Sequence, residues 1–422
     1  MKRAQMRHRT WPVWMFILAA LFYLYEFLLR VSPNVLQGDL MHTFGLDAKT
    51  FGFYSSCYYF AYAPLQLPVG ALTDKLGPRR LLTFAVLLCA FSTILTAWTE
   101  SYVLACIGRF LIGAGSAFGF ISCIKIVNIW FLPVYFPFLT GLTLTIGTLG
   151  AAMGATPLSL ALGFLSWREL LLYIGWVGVV LAVFIWIVIR DHNPDLPATE
   201  ENSTPDFCQS VIAVAKQPQS WLIGFYAFFV TAPTDAFGGT WGVKFLMDAH
   251  GLNRDAASIA VTMIFLGMAV GSPLLGWIST KIDNRKIVMF LSSLTACIAL
   301  TAIVYWSRLS ALWASVLFFI FGGSGTYVLA FVMIRRFNQS NYVATAVGFV
   351  NMLSMVGSAF LTFLIGWLLD RVWQGGVSAQ GVPLYVAKDY SLSLFVLPLF
   401  YALSAVLVIS CISDKKAEER YV

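Results

Sequence analysis

The sequence predicts an all-α membrane protein: twelve transmembrane helices in two pseudo-symmetric six-helix bundles. Three observations carry the prediction. Of 422 residues, 59% are hydrophobic and only 11% charged, whereas a soluble chain carries about 25% charged residues. Apolar runs recur from end to end at the length of roughly 20 residues that crosses ~30 Å of hydrocarbon. Finally, the chain repeats itself. Residues 40–80, slid by 206 positions, meet 246–286 without a gap. Leu40, Met41, Gly45, Leu46, Ala63, Gly70, Lys75 and Arg79 then coincide with Leu246, Met247, Gly251, Leu252, Ala269, Gly276, Lys281 and Arg285. Repeats of this parallel kind place a site between the halves near the bilayer midplane. The alternating ten-residue strands of a membrane β-barrel are missing from the pattern.

The first span, 12–36, follows the basic start MKRAQMRHRTW. That start resembles a signal peptide, but Glu26 and Arg30 inside the apolar segment, and the lack of a small-residue cleavage site, assign it to a retained helix. The second span, 50–73, carries Tyr54, Tyr58 and Tyr62 at i, i+4 and i+8, with Tyr59 and Gln66 beside them. The third and sixth, 80–98 and 169–190, are read from apolar length. The fourth, 102–128, holds Arg109 near one end and Lys125 near the other, and the fifth, 136–160, holds the glycine-spaced GTLGAAMGATP. A polar stretch rich in Pro, acids, Ser and Thr, RDHNPDLPATEENSTPDFCQS, reads as a solvated linker. The seventh span, 219–246, contains TAPTDAFGGTWG, where Pro233, Gly238 and Gly239 around Asp235 can break a helix. The last five are 255–279, 286–306, 309–333, 343–369 and 391–412. The expected division is a first bundle over 1–190, a linker over 191–218 and a second bundle over 219–422.

Charge sets orientation. With the amino terminus inside, 17 of the 27 Lys and Arg fall in cytoplasmic segments, 6 in outer segments and 4 within or beside spans. The bias puts both termini in the cytoplasm, and it accounts for the net charge of +7 without nucleic acid. Seven scattered cysteines with no CxxC pair imply neither a disulfide framework nor a zinc site. No phosphate-loop motif, histidine cluster or nucleophile elbow points to a pump or an enzyme. No cofactor is expected.

The loop after span two reads GALTDKLGPRR, residues 70–80. It resembles the signature G-x-L-x-D-x-x-G-R-K/R-x of the major facilitator superfamily. A weaker copy, GWISTKIDNRK (276–286), follows span eight, and RFLIGAGSAFG (109–119) resembles that family's helix-4 motif. The resemblance implies a secondary transporter working by alternating access in a bacterial inner membrane, as a monomer, driven by an ion gradient. It also implies a gating role for Gly70, Asp74, Lys75, Gly77, Arg79 and Arg80, and for Gly276, Lys281, Arg285 and Lys286. Gly70 should permit close helix approach and Gly77 a tight turn. Asp74 should latch the halves through the helix-11 amino terminus. Span five lacks the Gly-Pro of many exchangers, which favours symport. Ser116 stands where many anion-transporting relatives have glutamate. The pattern YEFLLRVSPNV followed by YYFAYAPLQLPVGALTDKLGPRR resembles the phagosomal nutrient transporters of intracellular gamma-proteobacteria, whose substrates include amino acids and nucleosides.

Only Glu26 and Asp235 of 20 acidic residues lie deep in spans. An ion in hydrocarbon costs about 3 kcal/mol or more, so such groups mark function or a satisfied pair. Glu26 and Arg30, at i and i+4, are expected to pair; a substrate carboxylate arriving at Arg30 then competes and lets Glu26 take a proton. Arg109 can clasp a carboxylate with two parallel bonds, while Lys125 can equally snorkel to the interface. Asp235 completes the charged set. Tyr23, Tyr58, Tyr59, Tyr62, Trp241, Tyr327 and Asn351 are the expected lining, packing being the alternative for each. This inventory suits proton-coupled uptake of a small polar metabolite such as an amino acid or short peptide. Uptake of an organic anion or nucleoside, and a drug or metabolite efflux antiporter, are the alternatives.

Overall fold

Local chemistry sets where each helix starts and stops. The computed structural model describes residues 11–132, 135–191, 207–282, 284–306, 309–325, 327–339, 342–377 and 383–412. Helix α1 spans Trp11–Phe44. Helix α2 runs over Ala48–Leu65 and, past a turn at 66–68, Val69–Leu76; Asp47 caps its start by accepting from the Thr50 amide at 2.8 Å. Helix α3, Pro78–Trp98, begins with proline in its first turn. Helix α4 comprises Tyr102–Ser116 and Gly119–Trp130, α5 Phe136–Met153 and Thr156–Ala161, and α6 Trp167–Val188, which opens on a Ser166–Glu169 capping box.

A short helix, Phe207–Ala215, belongs to the linker and packs on the second half. Helix α7 is composite: Pro218–Ala236, a π-turn over Phe237–Trp241, then Gly242–His250. Helices α8 (Arg254–Ile282) and α9 (Arg285–Tyr305) follow. Helix α10 has two pieces, Ala311–Gly323 and Tyr327–Phe337. Helix α11 is Val343–Val372, and α12 joins Ala387–Ser393 to Val396–Ser410.

Ten of these rods are long and apolar enough to cross a bilayer on length and composition alone. The other two expected spans are α2 and α7, and both have a physical reason for falling short. Helix α2 carries four tyrosines, a Ser-Ser pair and Pro64 in eighteen residues, and α7 is divided by its π-turn. Polar or broken helices survive at membrane depth only where protein or a wet cavity surrounds them. Helix α1 is longer than expected, with 34 residues or about 50 Å at the helical rise, so it projects beyond the hydrocarbon.

The contacts repeat with a shift of six helices. In the first half α1 packs on α5, α2 on α4, and α3 on α4 and α6; in the second, α7 packs on α11, α8 on α10, and α9 on α10 and α12. Between halves the pairs are α2–α11, its symmetry mate α5–α8, and α1–α7. The lipid-facing surface is apolar: Trp176, Val177, Val180, Phe184 and Ile187 of α6 are all more than half exposed. One glycine matters to the site directly. A Cβ at Gly113 would fall on the Tyr58 carbonyl, so only glycine lets α4 seat against α2 at that tyrosine.

Candidate functional site

Glu26, Arg30 and Asn34 recur at i, i+4 and i+8, one stripe of α1. Each makes a different bond. Glu26 is fully buried and its Oε2 accepts from the Tyr58 hydroxyl at 2.8 Å. Arg30 reaches across to the other half, where its Nη2 donates to Asp235 Oδ2 at 2.5 Å. The expected Glu26–Arg30 pair is therefore replaced: Tyr58 holds the glutamate inside the first half, and Asp235 takes the guanidinium. Asn34 donates to the carbonyls of Phe237 and Gly238, at 3.2 and 2.5 Å, and accepts from the Val243 amide at 2.9 Å. A π-turn shifts backbone groups out of the α ladder, and one asparagine amide bonds three backbone groups in and just after it, although the Phe237 carbonyl also accepts the Gly242 amide.

The spacing explains why α1 and α7 meet so. Arg30 and Asp235 are 205 positions apart, and Asn34 and Gly238 are 204 apart. The internal repeat is 206. Each residue thus faces nearly its own copy, as two helices crossing on a pseudo-two-fold axis must.

Asp235 also accepts from Ser358 of α11 at 2.6 Å. The guanidinium of Arg30 lies 5.2, 5.3, 5.9 and 5.9 Å from the ring centres of Phe27, Tyr59, Tyr58 and Tyr62. Aromatic faces attract a cation, more so when it is desolvated. Tyr58 and Tyr62 are stacked, with centres 5.7 Å apart. The i, i+4 tyrosine ladder thus builds a wall for Arg30.

Arg109 is placed differently. It is 2% exposed and donates through Nη1 to the Leu29 carbonyl and through Nη2 to the Arg30 carbonyl, both at 2.7 Å. The reason is Pro33. Proline has no N–H, so the carbonyl four residues earlier, that of Leu29, loses its helical donor. Arg109 and the Ser32 hydroxyl, at 2.9 Å, replace it. In this conformation Arg109 braces the break in α1 behind Arg30, with the Tyr58 ring 4.9 Å from its guanidinium.

The remaining residues expected to line a site separate into groups. Tyr327 donates to Asn351 Oδ1, and Asn351 donates across the halves to Gln66 Oε1 at 2.6 Å. Tyr23 packs against Phe27 and Phe120, at 4.9 and 5.7 Å. Trp241 is fully buried and donates to the Thr362 carbonyl at 3.1 Å, so it packs α7 onto α11. Lys125 is half-buried on the second piece of α4.

At the linker end, Gly77 adopts φ 79°, the left-handed turn its position requires. Arg79 donates its amide to Asp191 at 2.8 Å and its Nε to the Trp186 carbonyl at 2.8 Å, with its guanidinium 4.2 Å from the Trp186 ring. That anchor to α6 was invisible in the motif itself. Arg80 and Lys281 are exposed, the latter 5.0 Å from the Trp277 ring; Arg285 and Lys286 are half-buried at the start of α9. The close approach expected at Gly70 is absent among the described residues, where a Cβ would meet nothing within 4 Å, and the same holds at Gly276. The side chains of Asp74 and Lys75 lie outside the described residues.

The opposite end is sealed. Asp370 of α11 accepts from the Ala48 and Lys49 amides of α2 at 3.1 and 2.7 Å. Tyr385 donates to the same carboxylate and its hydroxyl accepts from the Ala48 amide at 3.0 Å. Ser159 donates to Asp255 at 2.8 Å, Thr156 and Thr262 share a bond of 2.7 Å, and Arg254 pairs with Asp39 at 3.2 Å. Asp370 is a carboxylate on a helix amino terminus, the device expected of Asp74, with the roles of α2 and α11 exchanged and at the other end of the molecule. In the sequence nothing distinguishes it from the other acids outside the span interiors.

Comparison with known proteins agrees with this architecture. The Major Facilitator Superfamily profile matches residues 15–241 and 223–420. The Hexuronate transporter of Bacillus subtilis (strain 168) is 24% identical over 379 residues, 85% of this chain and 87% of its own. The Probable sulfoacetate transporter SauU of Cupriavidus necator is 23% identical over 275 residues, 63% of this chain; the match spans just under two thirds, 64%, of that relative. Among solved structures, a bacterial homolog of the human lysosomal transporter Spinster, inward-facing and unoccupied, superposes with a TM-score of 0.77 at 16% identity, over 95% of this chain and 96% of its own.

Proposed function

The chain belongs to the Major Facilitator Superfamily, and from that premise we propose that it is a proton-coupled uptake transporter of a small organic anion. The two rocking halves are residues 1–190 and 219–422, joined by a linker at 191–218. It works as a monomer in a bacterial inner membrane, with both termini and the linker in the cytoplasm. In this orientation the sealed end is external and the conformation inward-facing. Asp74 with its basic loop then closes the cytoplasmic side in the opposite state.

The observation that carries the reading is Arg30, buried among aromatic rings and paired across the halves with Asp235. A buried ion pair broken on one side leaves an uncompensated charge costing about 3–5 kcal/mol. An anionic substrate group can take Arg30 from Asp235 only if Asp235 is neutralised in turn, and a proton does that. Charge then balances only with both ligands aboard. The substrates for which two of the matched relatives are named, hexuronate and sulfoacetate, are organic anions, which supports the choice over an amino acid or peptide. The amino-acid reading survives as second on one observation: an Asp235 released from Arg30 can receive an ammonium group instead of a proton. Proteoliposomes with an imposed pH gradient test this. Glucuronate should accumulate when the outside is acidic, and Arg30→Ala should abolish it; accumulation of amino acids but not of glucuronate sinks the anion reading.

A further inference from the structure

A polar chain stands beside the Arg30 pair and bridges the halves at a second point. It runs from Tyr327 on α10 through Asn351 on α11 to Gln66, where α2 breaks before Pro68. Tyr62 joins it to the ion pair: its ring lies 5.9 Å from the Arg30 guanidinium and its hydroxyl neighbours Asn351. Ser354 donates to the Tyr327 hydroxyl at 3.4 Å. Tyr327 and Asn351 are half-buried, whereas Gln66 is 6% exposed. Its Oε1 is taken by Asn351, but its Nε2 has no partner among the described residues.

An unpaired buried amide donor forfeits its hydration without a replacement bond. Such a group belongs where something arrives to accept from it. We propose that Gln66 Nε2, with Asn351 and Tyr327, forms a neutral hydrogen-bonding subsite that binds the hydroxylated part of the substrate while Arg30 holds its anionic group. The proposal rests on the anion reading of Arg30 and refines it: the cargo is a polyhydroxylated carboxylate of sugar-acid type rather than any small anion. The chemistry is complementary. A polyol presents oxygens that accept from Nε2 and hydroxyls that donate to Asn351 Oδ1 or the tyrosine. A hydrocarbon chain offers neither, and would leave the buried Gln66 donor unpaired. Sites built on hydrogen bonds reject analogues lacking the bonding group far more strongly than apolar pockets reject an added one.

The test is thermal-shift titration of the full-length protein in detergent with two monocarboxylates of equal charge, glucuronate and hexanoate. The readout is the ratio of their affinities. Gln66→Met keeps the volume and removes the amide; Gln66→Glu keeps an acceptor for Asn351 and removes the donor. Both variants should lower the glucuronate-to-hexanoate ratio about tenfold, one decade of affinity, and equal charge makes any repulsion from Glu cancel in the ratio. A role in packing alone changes melting temperature, or weakens both ligands together, and overturns the subsite. An unchanged ratio in a folded variant overturns it too. If neither carboxylate binds the native protein, the anion reading of Arg30 fails first and this one falls with it.

Discussion

Replacing Asp370 by asparagine removes the charge that closes the end of the molecule remote from the linker. The Asp370 carboxylate now accepts from two successive amides at the start of α2, at 3.1 and 2.7 Å. These are two of the four N–H groups a helix cannot satisfy for itself; Asp47 serves a third, on Thr50. Asparagine keeps a single acceptor oxygen, so the variant loses one bond and the attraction of a full charge for the helix terminus. That attraction is worth about 0.3–1 kcal/mol exposed and up to about 2 when partly buried. A lost bond adds about 1 kcal/mol. Taken together, the sealed arrangement weakens by about 2 kcal/mol relative to the open one, a shift of about 30-fold in the conformational equilibrium. A cysteine at Thr362 reports it, because that residue is fully buried on α11 beneath the latch. In a background without the seven native cysteines, an impermeant maleimide should label it about ten- to thirtyfold faster in Asp370→Asn. A labelling rate within twofold of the parent, in a variant of normal melting temperature, would refute the latch.

Three further substitutions test helix packing around the site. Asn34→Ala removes the side chain that bonds the Phe237 and Gly238 carbonyls and the Val243 amide, and should destabilise the protein by about 1–3 kcal/mol, read as a lower melting temperature in detergent; an unchanged value rejects the staple. Gly113→Ala puts a methyl onto the Tyr58 carbonyl and should cost about 1–3 kcal/mol. Gly70→Ala meets no atom and should be neutral or mildly stabilising, by about 0.5–1 kcal/mol, as expected for glycine in a helix. A reversed order in melting temperature would mean that these contacts are misplaced.

The fold was legible because a membrane writes its constraints into composition. Runs of apolar residues, the Lys and Arg imbalance and the 206-residue repeat all report on solvent rather than on particular partners. The site was legible only in part. Ions inside spans are few, so Glu26, Arg30, Arg109 and Asp235 could be singled out one by one. Their pairing could not, since helix periodicity gives neighbours on one helix and says nothing of which side chain reaches across. That is why Arg30 was expected to bond Glu26 at i+4 and instead bonds Asp235, 205 positions away. Asn34 escaped notice because asparagine in a span is not costly enough to stand out, although the i, i+4, i+8 stripe already pointed to it. Arg109 could have been read more fully: a proline at 33 orphans a carbonyl at 29, and a buried arginine is a natural donor to it. Gly70 was overread, because the same glycine signals close approach in one conformation and leaves open space in another.

On the proposed proton-coupled cycle, the exchange of partners at Arg30 changes which carboxyl carries the coupling. A coupled cycle needs substrate and proton to compete for one group, so that neither crosses alone. Asp235 shares Arg30 directly, at 2.5 Å. Glu26 makes no bond to Arg30 among the described residues; Tyr58 stands between them, donating to Glu26 at 2.8 Å and presenting its ring to Arg30 at 5.9 Å. Asp235→Asn should therefore leave Arg30 free for an anion and permit downhill flux and exchange of labelled substrate, but abolish accumulation against a gradient. Glu26→Gln keeps an acceptor for Tyr58 and leaves the Arg30–Asp235 pair intact, so uphill accumulation should persist at a reduced rate. Proteoliposomes measured for exchange and for pH-driven accumulation separate the two. If Glu26→Gln abolished accumulation and Asp235→Asn did not, the proton would belong to the first half alone, and the pair across the axis would be a hinge rather than the coupling site.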